Sequence, residues 1–584
     1  MKKNLTQGIT DFKEFIDNNC YFVDKTHLIA HIINDPSKVH LITRPRRFGK
    51  TLNLSMIRYF FEAPPPHGDS SDPPPNAALF NGMSISKHPK YREYMGKYPV
   101  IHLSFKDVKK STYQNCMALI RNMLSAEYQR HEYLQNCGVL RDAEKELFSK
   151  ILDKKGSDQD CEESITFLSI WLHRAYNKPV YILLDEYDTP LHAAYADNFY
   201  DEMIAFIRSF MVQSFKDNPN LKQAVVIGIL KVAQESIFSD FNNPAVSTVL
   251  SNAMKDCFGF TEPEVEKMAA YFGQESRLDG IRQWYNGYLF GDDTVIYNPW
   301  SLVSYFRNIK DGLLPYWVHT SSNRMVKETL QLNKRDSRET MESLLKGEEV
   351  RREVAINIVY PQIRTRPDVA WSFLLHGGYL KADERQQVHT SITHRLSIPN
   401  LEVTVVYEKV IRDWLEEDME AGESFHSFIR GIREGDATLI AEGLGEILLG
   451  LASFHDTASQ GEKEEKKRAE GFYHGLVLGM LAYLSDEYTV ESNRECGMGR
   501  PDIVLIQRGP GRPDQVLLFE FKRESATGTT PLKQLAQEAY TQAEQKYLKG
   551  AQEKWNPEKI IIYGVGFRGK ALAMEAGGEN EAPP

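Results

Sequence analysis

Val39-His40-Leu41-Ile42-Thr43-Arg44-Pro45-Arg46-Arg47-Phe48-Gly49-Lys50-Thr51 decides how the first half of the chain is read. VHLIT is a short apolar run with strand character, the next eight residues form a basic loop containing one glycine, and LNLSMIRYFFE beyond them has amphipathic helical spacing. Strand, loop and helix in that order are the setting of the phosphate-binding pattern GxxxxGK[ST]. Each residue type has a physical role there. A helix N-terminus offers unpaired N–H groups to phosphate oxygens, and glycine lets the backbone come close. Lysine reaches the β/γ-phosphates, and the hydroxyl binds Mg²⁺. Gly49, Lys50 and Thr51 are therefore candidate nucleotide-binding residues. Arg44 stands where the pattern has its first glycine, and a basic surface loop ahead of a helix is the competing reading.

Tyr181-Ile182-Leu183-Leu184-Asp185-Glu186 supplies the second half of such a site: four apolar residues and then two acids, the form of a Walker B strand. Asp185 would hold the Mg²⁺ shell, and Glu186 would orient or deprotonate the attacking water. Further apolar runs at 100–105, 180–184 and 224–230 alternate with helical patterns such as 111–131. That alternation predicts a parallel α/β sheet covered on both faces. APPPHGDSSDPPP (63–75) holds too much proline for helix or strand and reads as an exposed insert. The expected organisation is a P-loop domain over 1–260, a helical lid or winged-helix-like region over 261–400, a helical connector over 401–468, an α/β domain over 469–570 and a disordered tail over 571–584.

The α/β domain carries its own constellation. Ile503–Gln507 and Val516–Lys522 read as two strands of a hairpin around Gly509-Pro510-Gly511-Arg512-Pro513. Opposed residues of an antiparallel pair have a constant index sum. A turn centred on Gly511 puts Asp502 opposite Glu520. Glu520 and Lys522 then share one face, while Phe519 and Phe521 point into the core. Two adjacent carboxylates repel unless a cation or proton lies between them, and Mg²⁺ suits oxygen ligands. Such a metal would polarise a phosphate and generate hydroxide, with Lys522 placed to stabilise the developing charge. A surface hairpin with ordinary ion pairs is the plainer reading.

These segments, with YFVDKTHLI (21–29), LLDEYDTP (183–190), SIFSDFNN (236–243), WYNGYLF and YNPWSL (284–302), resemble a bacterial AAA-ATPase-like family that carries a C-terminal PD-(D/E)XK nuclease domain. The resemblance implies a P-loop NTPase sheet followed by a restriction-endonuclease-like domain, with ATP and Mg²⁺ as cofactors. An Arg-rich loop in place of the first glycine is a feature of that family, which draws Arg47 into the nucleotide site. Arg46 or Arg47 would serve as an arginine-finger substitute, and a solvent-facing role is the alternative. In the nuclease domain the resemblance implies Glu470 as a further metal ligand beside Asp502 and Glu520, with Glu491 and Glu495 as competitors. Gln542 and Tyr547 would support the site. Lys231 is placed for a sensor role, and the aromatic residues of 284–302 read as packing and turn residues.

The 584 residues carry a formal net charge of -10, so phosphate contacts must be local. Arg494, Arg500, Arg508, Arg512 and Arg523 cluster near the hairpin and are the candidates. Six scattered cysteines without a CxxC pair fit neither a disulfide framework nor a zinc site, and suggest a reducing compartment. No signal peptide or membrane span is expected, which makes the chain cytoplasmic. The expected partner is nucleic acid, DNA ahead of RNA, and many ATPases assemble as homo-oligomers. Two functions compete: a Mg²⁺-dependent nuclease gated or powered by ATP, and a nucleotide-switched regulatory protein on a degenerate nuclease scaffold.

Overall fold

The computed structural model describes residues 3–66, 73–232, 244–317, 340–341, 343–345, 350–363, 366–388, 391–407, 419–451, 477, 480–484, 487–492, 496, 499–509, 512–524, 528–568 and 571–580. The chain divides into two compact units, Met1–Asn333 with Arg351–Val403, and Lys334–Val350 with Thr404–Pro584.

The first unit is built on strands β1 (Val39–Thr43), β2 (Val100–Ser104), β3 (Val180–Asp185), β4 (Leu221–Gly228) and β5 (Ala245–Ser247), all parallel in the order β2-β3-β4-β1-β5. β1 and β3 are buried at every position, as their unbroken apolar character demands in a sheet covered on both faces. Helices Lys50–Phe61, Tyr113–Arg130, Asp158–Tyr176 and Tyr200–Phe215 return the chain between strands. β4 lies between β1 and β3, so the GKT loop and the acidic strand end share the carboxyl edge of the sheet without being neighbours.

The middle region is helical at Glu262–Phe272, Leu278–Tyr285 and Pro299–Arg307, around a core that includes Val265, Tyr285, Tyr297, Leu302 and Tyr305. Two small sheets absent from the sequence reading join these helices. β6 (Phe260–Thr261), β7 (Tyr288–Phe290) and β8 (Thr294–Tyr297) form one, and β9 (Val350–Glu353), β10 (Lys381–Val388) and β11 (Ser391–Ser397) the other. Gly287 bends the chain into β7 with φ 102° and leaves no room for a Cβ, which would lie 2.1 Å from the Pro399 carbonyl oxygen.

The second unit is a sheet of β12 (Tyr488–Ser492), β13 (Ile503–Gln507), β14 (Gln515–Arg523), β15 (Lys559–Arg568) and β16 (Ala571–Asn580), in that order. Only β14 and β15 run parallel, bridged by the Leu532–Trp555 helix. That helix covers one face through Ala543, Tyr547 and Ala551 against Val504, Val516, Leu518 and Ile562. Phe519 and Phe521 point to the opposite face, as their alternation required, and pack with Tyr563. Two expectations are corrected here. Helices Met419–Glu434 and Ala437–Leu451, read as a connector, cover that second face through Phe425, Phe428, Ile440 and Leu444. Residues 571–580, read as the start of a disordered tail, are β16, because pairing along all of β15 outweighs their weak strand propensity.

Two backbone-level constraints carry consequences. Arg44 is wholly buried directly after β1. Its guanidinium donates to the Thr43, Ser247 and Met254 carbonyls and to Ser247 Oγ at 2.8–3.0 Å, and lies 5.4 and 5.3 Å from the rings of Phe258 and Phe290. Burial lowers its pKa to about 10, so it remains charged at neutral pH. In the second unit, Gly564 and Gly566 of β15 lie opposite Glu520 and Lys522. A Cβ at Gly564 would sit 2.2 Å from Tyr540 N and 2.4 Å from Ala536 O, so the helix rests on bare strand there.

Arg44→Gly, although it restores the general phosphate-loop pattern, is expected to destabilise the first unit by about 3–5 kcal/mol, because it strands buried carbonyls. Urea unfolding followed by intrinsic fluorescence checks this, and an unchanged midpoint would refute it. Gly564→Val should cost the second unit about 3 kcal/mol through overpacking against helix backbone; a variant as stable as wild type in the same assay would show that the helix can lift off the strand freely.

Candidate active sites

The first site forms where β1, β3 and β4 end. Gly49 caps the Lys50–Phe61 helix with φ 79°, a left-handed conformation that suits glycine. Lys50 is buried, with Nζ donating to the loop carbonyls of Arg44 (2.9 Å) and Pro45 (2.7 Å). Burial pulls its pKa down, against the opposing charges of Glu186, Asp188 and Asp185. Thr51 Oγ1 donates to Asp185 Oδ2 at 2.9 Å, and Ser104 Oγ approaches the same oxygen at 3.4 Å. Asp185 is fully buried, and its Oδ1 has no hydrogen-bond partner. Burial, and next the neighbouring Glu186 charge, raise its carboxyl to about 6. A hydroxyl and a carboxylate with an oxygen to spare fit a hard cation such as Mg²⁺.

Glu186 and Arg47 both hold left-handed backbone, φ 49° and 68°, an uncommon conformation for such residues. Thr189 Oγ1 donates to Glu186 Oε2 at 3.2 Å. Arg47 stacks its guanidinium 4.1 Å from the centre of the Trp300 ring. Trp300 thus reaches the edge of the loop, a contact that the packing-only reading of 284–302 missed. Asp188 was missed as well. It is buried and accepts the N–H groups of Ile229 and Leu230, both at 2.9 Å, while Tyr187 donates to the Leu230 carbonyl. LLDEYDTP therefore grips the end of β4 in addition to offering acids, and a second aspartate three residues after Asp185 was the available signal. Lys231 follows directly, half-buried, its pKa lowered by burial.

The second site lies at one end of β13 and β14. Ile503 pairs with Phe519, so the register continues to Asp502 beside Glu520. Asp502 Oδ2 accepts the backbone N–H of Phe521 at 2.8 Å, which locks the carboxylate across the strand pair. Glu520 is 5% exposed, and its Oε1 accepts from the Gln542 side-chain amide and from Tyr547 OH at 3.5 Å. Burial, and next the Glu520 charge, raise the Tyr547 phenol. Lys522, two residues on, lies 3.5 Å from Glu538 of the same helix. Carboxylate oxygens, a fixing amide and a cation on one face suit a divalent cation and a phosphate.

Asp502, Glu520, Lys522, Gln542 and Tyr547 are thus brought together, as are Gly49, Lys50, Thr51, Asp185 and Glu186. Glu470, Glu495, Arg494 and the SIFSDFNN segment lie outside the described residues. Glu491 faces the same side of the sheet as Glu520, but opposite Val504, one side-chain row away, with Lys554 at 3.9 Å. Arg512 is engaged by Glu558 at 2.7 Å. The six cysteines form no disulfide, and among the described residues no helix is long and apolar enough to cross a membrane.

Residues 6–238 match the family described as predicted AAA-ATPase, and residues 468–576 match the PD-(D/E)XK nuclease superfamily. An uncharacterized protein in the vnfD 5′ region of Azotobacter chroococcum mcd 1 is 24% identical over 579 residues, covering 97% of this chain and 96% of its own length. No solved structure gives a significant match. The chain therefore joins an AAA-ATPase-like domain at residues 6–238 to a C-terminal domain of the PD-(D/E)XK nuclease superfamily at residues 468–576.

Proposed function

We propose that this protein is a Mg²⁺-dependent nuclease, acting on DNA ahead of RNA in the cytoplasm, whose AAA-ATPase-like domain binds ATP and gates or powers cleavage. The observation that carries this reading is the juxtaposition of Asp502 and Glu520, with Lys522 on the same face. A bound Mg²⁺ would polarise the scissile phosphate and lower the pKa of a water. Asp502 and Glu520 would hold the ion, and the Gln542 amide fixes the Glu520 carboxylate. The Lys522 ammonium leaves Glu538 as phosphate enters and neutralises the charge that grows on the phosphoryl oxygens.

In the ATP site, Lys50 exchanges the loop carbonyls for the β/γ-phosphates, Gly49 lets the backbone approach, and Thr51 and Asp185 hold the nucleotide's Mg²⁺. Glu186 orients the attacking water, and Arg47 turns from Trp300 to the phosphates. A second reading, a nucleotide-controlled switch without cleavage, draws on one observation. Arg44 is a buried pillar that makes the loop stiffer than one opening with glycine.

With Mg²⁺ and mixed single- and double-stranded DNA and RNA substrates, wild type should cleave, and Asp502→Ala or Lys522→Ala should lower the rate by about 10²–10³-fold or more. Both variants should keep the ATP-induced rise in melting temperature, which reports binding linkage alone. Folded, ATP-binding wild type that cuts nothing would establish the switch reading instead.

A second prediction concerns pH. The folded-state pKa of Asp185 is raised to about 6 from 3.8, so its ionisation disfavours the folded state as pH rises through that range, by up to about 3 kcal/mol. Asp185→Asn should therefore melt above wild type at pH 7.5, with a gain that shrinks toward pH 4, and should lose the further stabilisation by Mg²⁺ with ATP. A gain independent of pH in calorimetry would reject this account.

A further inference from the structure

Among the described residues, one set of three metal-ligating side chains brings its ligand atoms within 4.8 Å of one another: His27, Asp256 and Cys257. It belongs to neither site above. His27 and His31 lie one turn apart on the His27–Asn34 helix, with ring centroids 6.3 Å apart. That i, i+4 spacing places two imidazoles on one helix face, an arrangement suited to zinc. His27 Nε2 is 3.5 Å from Asp256 Oδ1, long for a hydrogen bond, and this buried nitrogen has no hydrogen-bond partner. Cys257 is buried at the floor of the group, while Asp256 and His31 are exposed, so an ion can enter from solvent. The nearest ammonium, Lys25, is matched by Glu264 at 2.7 Å and bonds the Asp256 carbonyl rather than its carboxylate.

We propose that His27, Asp256 and Cys257, with His31 as fourth ligand, form a structural zinc site on the first unit. Two imidazole nitrogens, one carboxylate oxygen and one thiolate select a borderline ion such as Zn²⁺ over Mg²⁺ or Ca²⁺. Burial, followed by the Asp256 charge, pushes the Cys257 thiol up to about 12, so without metal it is an inert core thiol. Zinc binding releases that proton to solvent as the Zn–S bond forms. The ion would pin a segment that also supports the nucleotide site. There the Met254 carbonyl holds Arg44, and the Cys257 carbonyl accepts Asn53 of the phosphate-loop helix at 3.1 Å. Zinc would thus brace the wall behind the phosphate loop.

The test uses the full chain, loaded with Zn²⁺ and freed of excess by gel filtration, with metal measured by mass spectrometry. An Asp502→Ala/Glu520→Ala background keeps the nuclease carboxylates out of the count. That background should retain about one zinc per chain, as expected for a four-ligand site. Adding His27→Gln or Cys257→Ser should reduce zinc to the buffer level. Co²⁺ should give a near-ultraviolet thiolate-to-metal band that Cys257→Ser abolishes and His31→Gln perturbs. Failure to retain zinc, retention undiminished by His27→Gln, or a cobalt spectrum without the thiolate band would each overturn the proposal and leave a surface His–Asp pair above a buried cysteine. His27→Gln alters a half-exposed side chain and keeps the test valid if Cys257→Ser disturbs folding.

Discussion

A carboxylate carried out of water by a central strand is the constraint around which each unit is organised. Asp185 closes β3 and is fully buried, and Glu520 lies near the end of β14 at 5% exposure. An ionised carboxylate in such a place is costly unless donors or a cation compensate it. In the first unit Thr51 and Ser104 reach one Asp185 oxygen, and the other faces no donor. In the second, the Leu532–Trp555 helix brings Gln542 and Tyr547 to Glu520. Each arrangement is a partial solvation shell that a divalent cation can complete.

The surroundings of these acids are shaped by steric choices far from any charge. Gly564 and Gly566 remove the side chains that would hold the helix off β15, and the helix settles onto bare strand beside Glu520 and Lys522. In the first unit the opposite device is used. Where the general phosphate loop begins with a glycine for backbone freedom, this chain places its largest cation and buries it between two rings and four oxygen acceptors. The start of the loop is thereby held by a side chain anchored on β5 and the segment after it.

The net charge of -10 fits this design better than a nucleic-acid partner would suggest. The cations at the two candidate sites are few and placed: Lys50 and Arg47 at one strand edge, Lys522 at another. Several other arginines are engaged by carboxylates, Arg512 with Glu558 and Arg282 with Glu262 among them. A protein that bound phosphate through so few cations would depend on their position rather than on bulk charge.

By itself the sequence determined the local grammar. The apolar runs at 39–43, 180–184 and 503–507 read as strands, GKT after the first read as a helix start, and alternation in Phe519-Glu520-Phe521-Lys522 sent rings and charges to opposite faces, all of which the structure shows. The hairpin register rested on centring the turn at Gly511, and the structure has that register, with Ile503 opposite Phe519. What only the tertiary structure decided were the contacts between segments distant in the chain. β4 lies between β1 and β3, and helices 419–451 cover the nuclease sheet. Residues 571–580 pair with β15 despite their Ala, Gly and Glu content, and Trp300 reaches Arg47. Periodicity records which face of an element is apolar, but not which distant surface fills it, and that choice is made by packing over the whole fold.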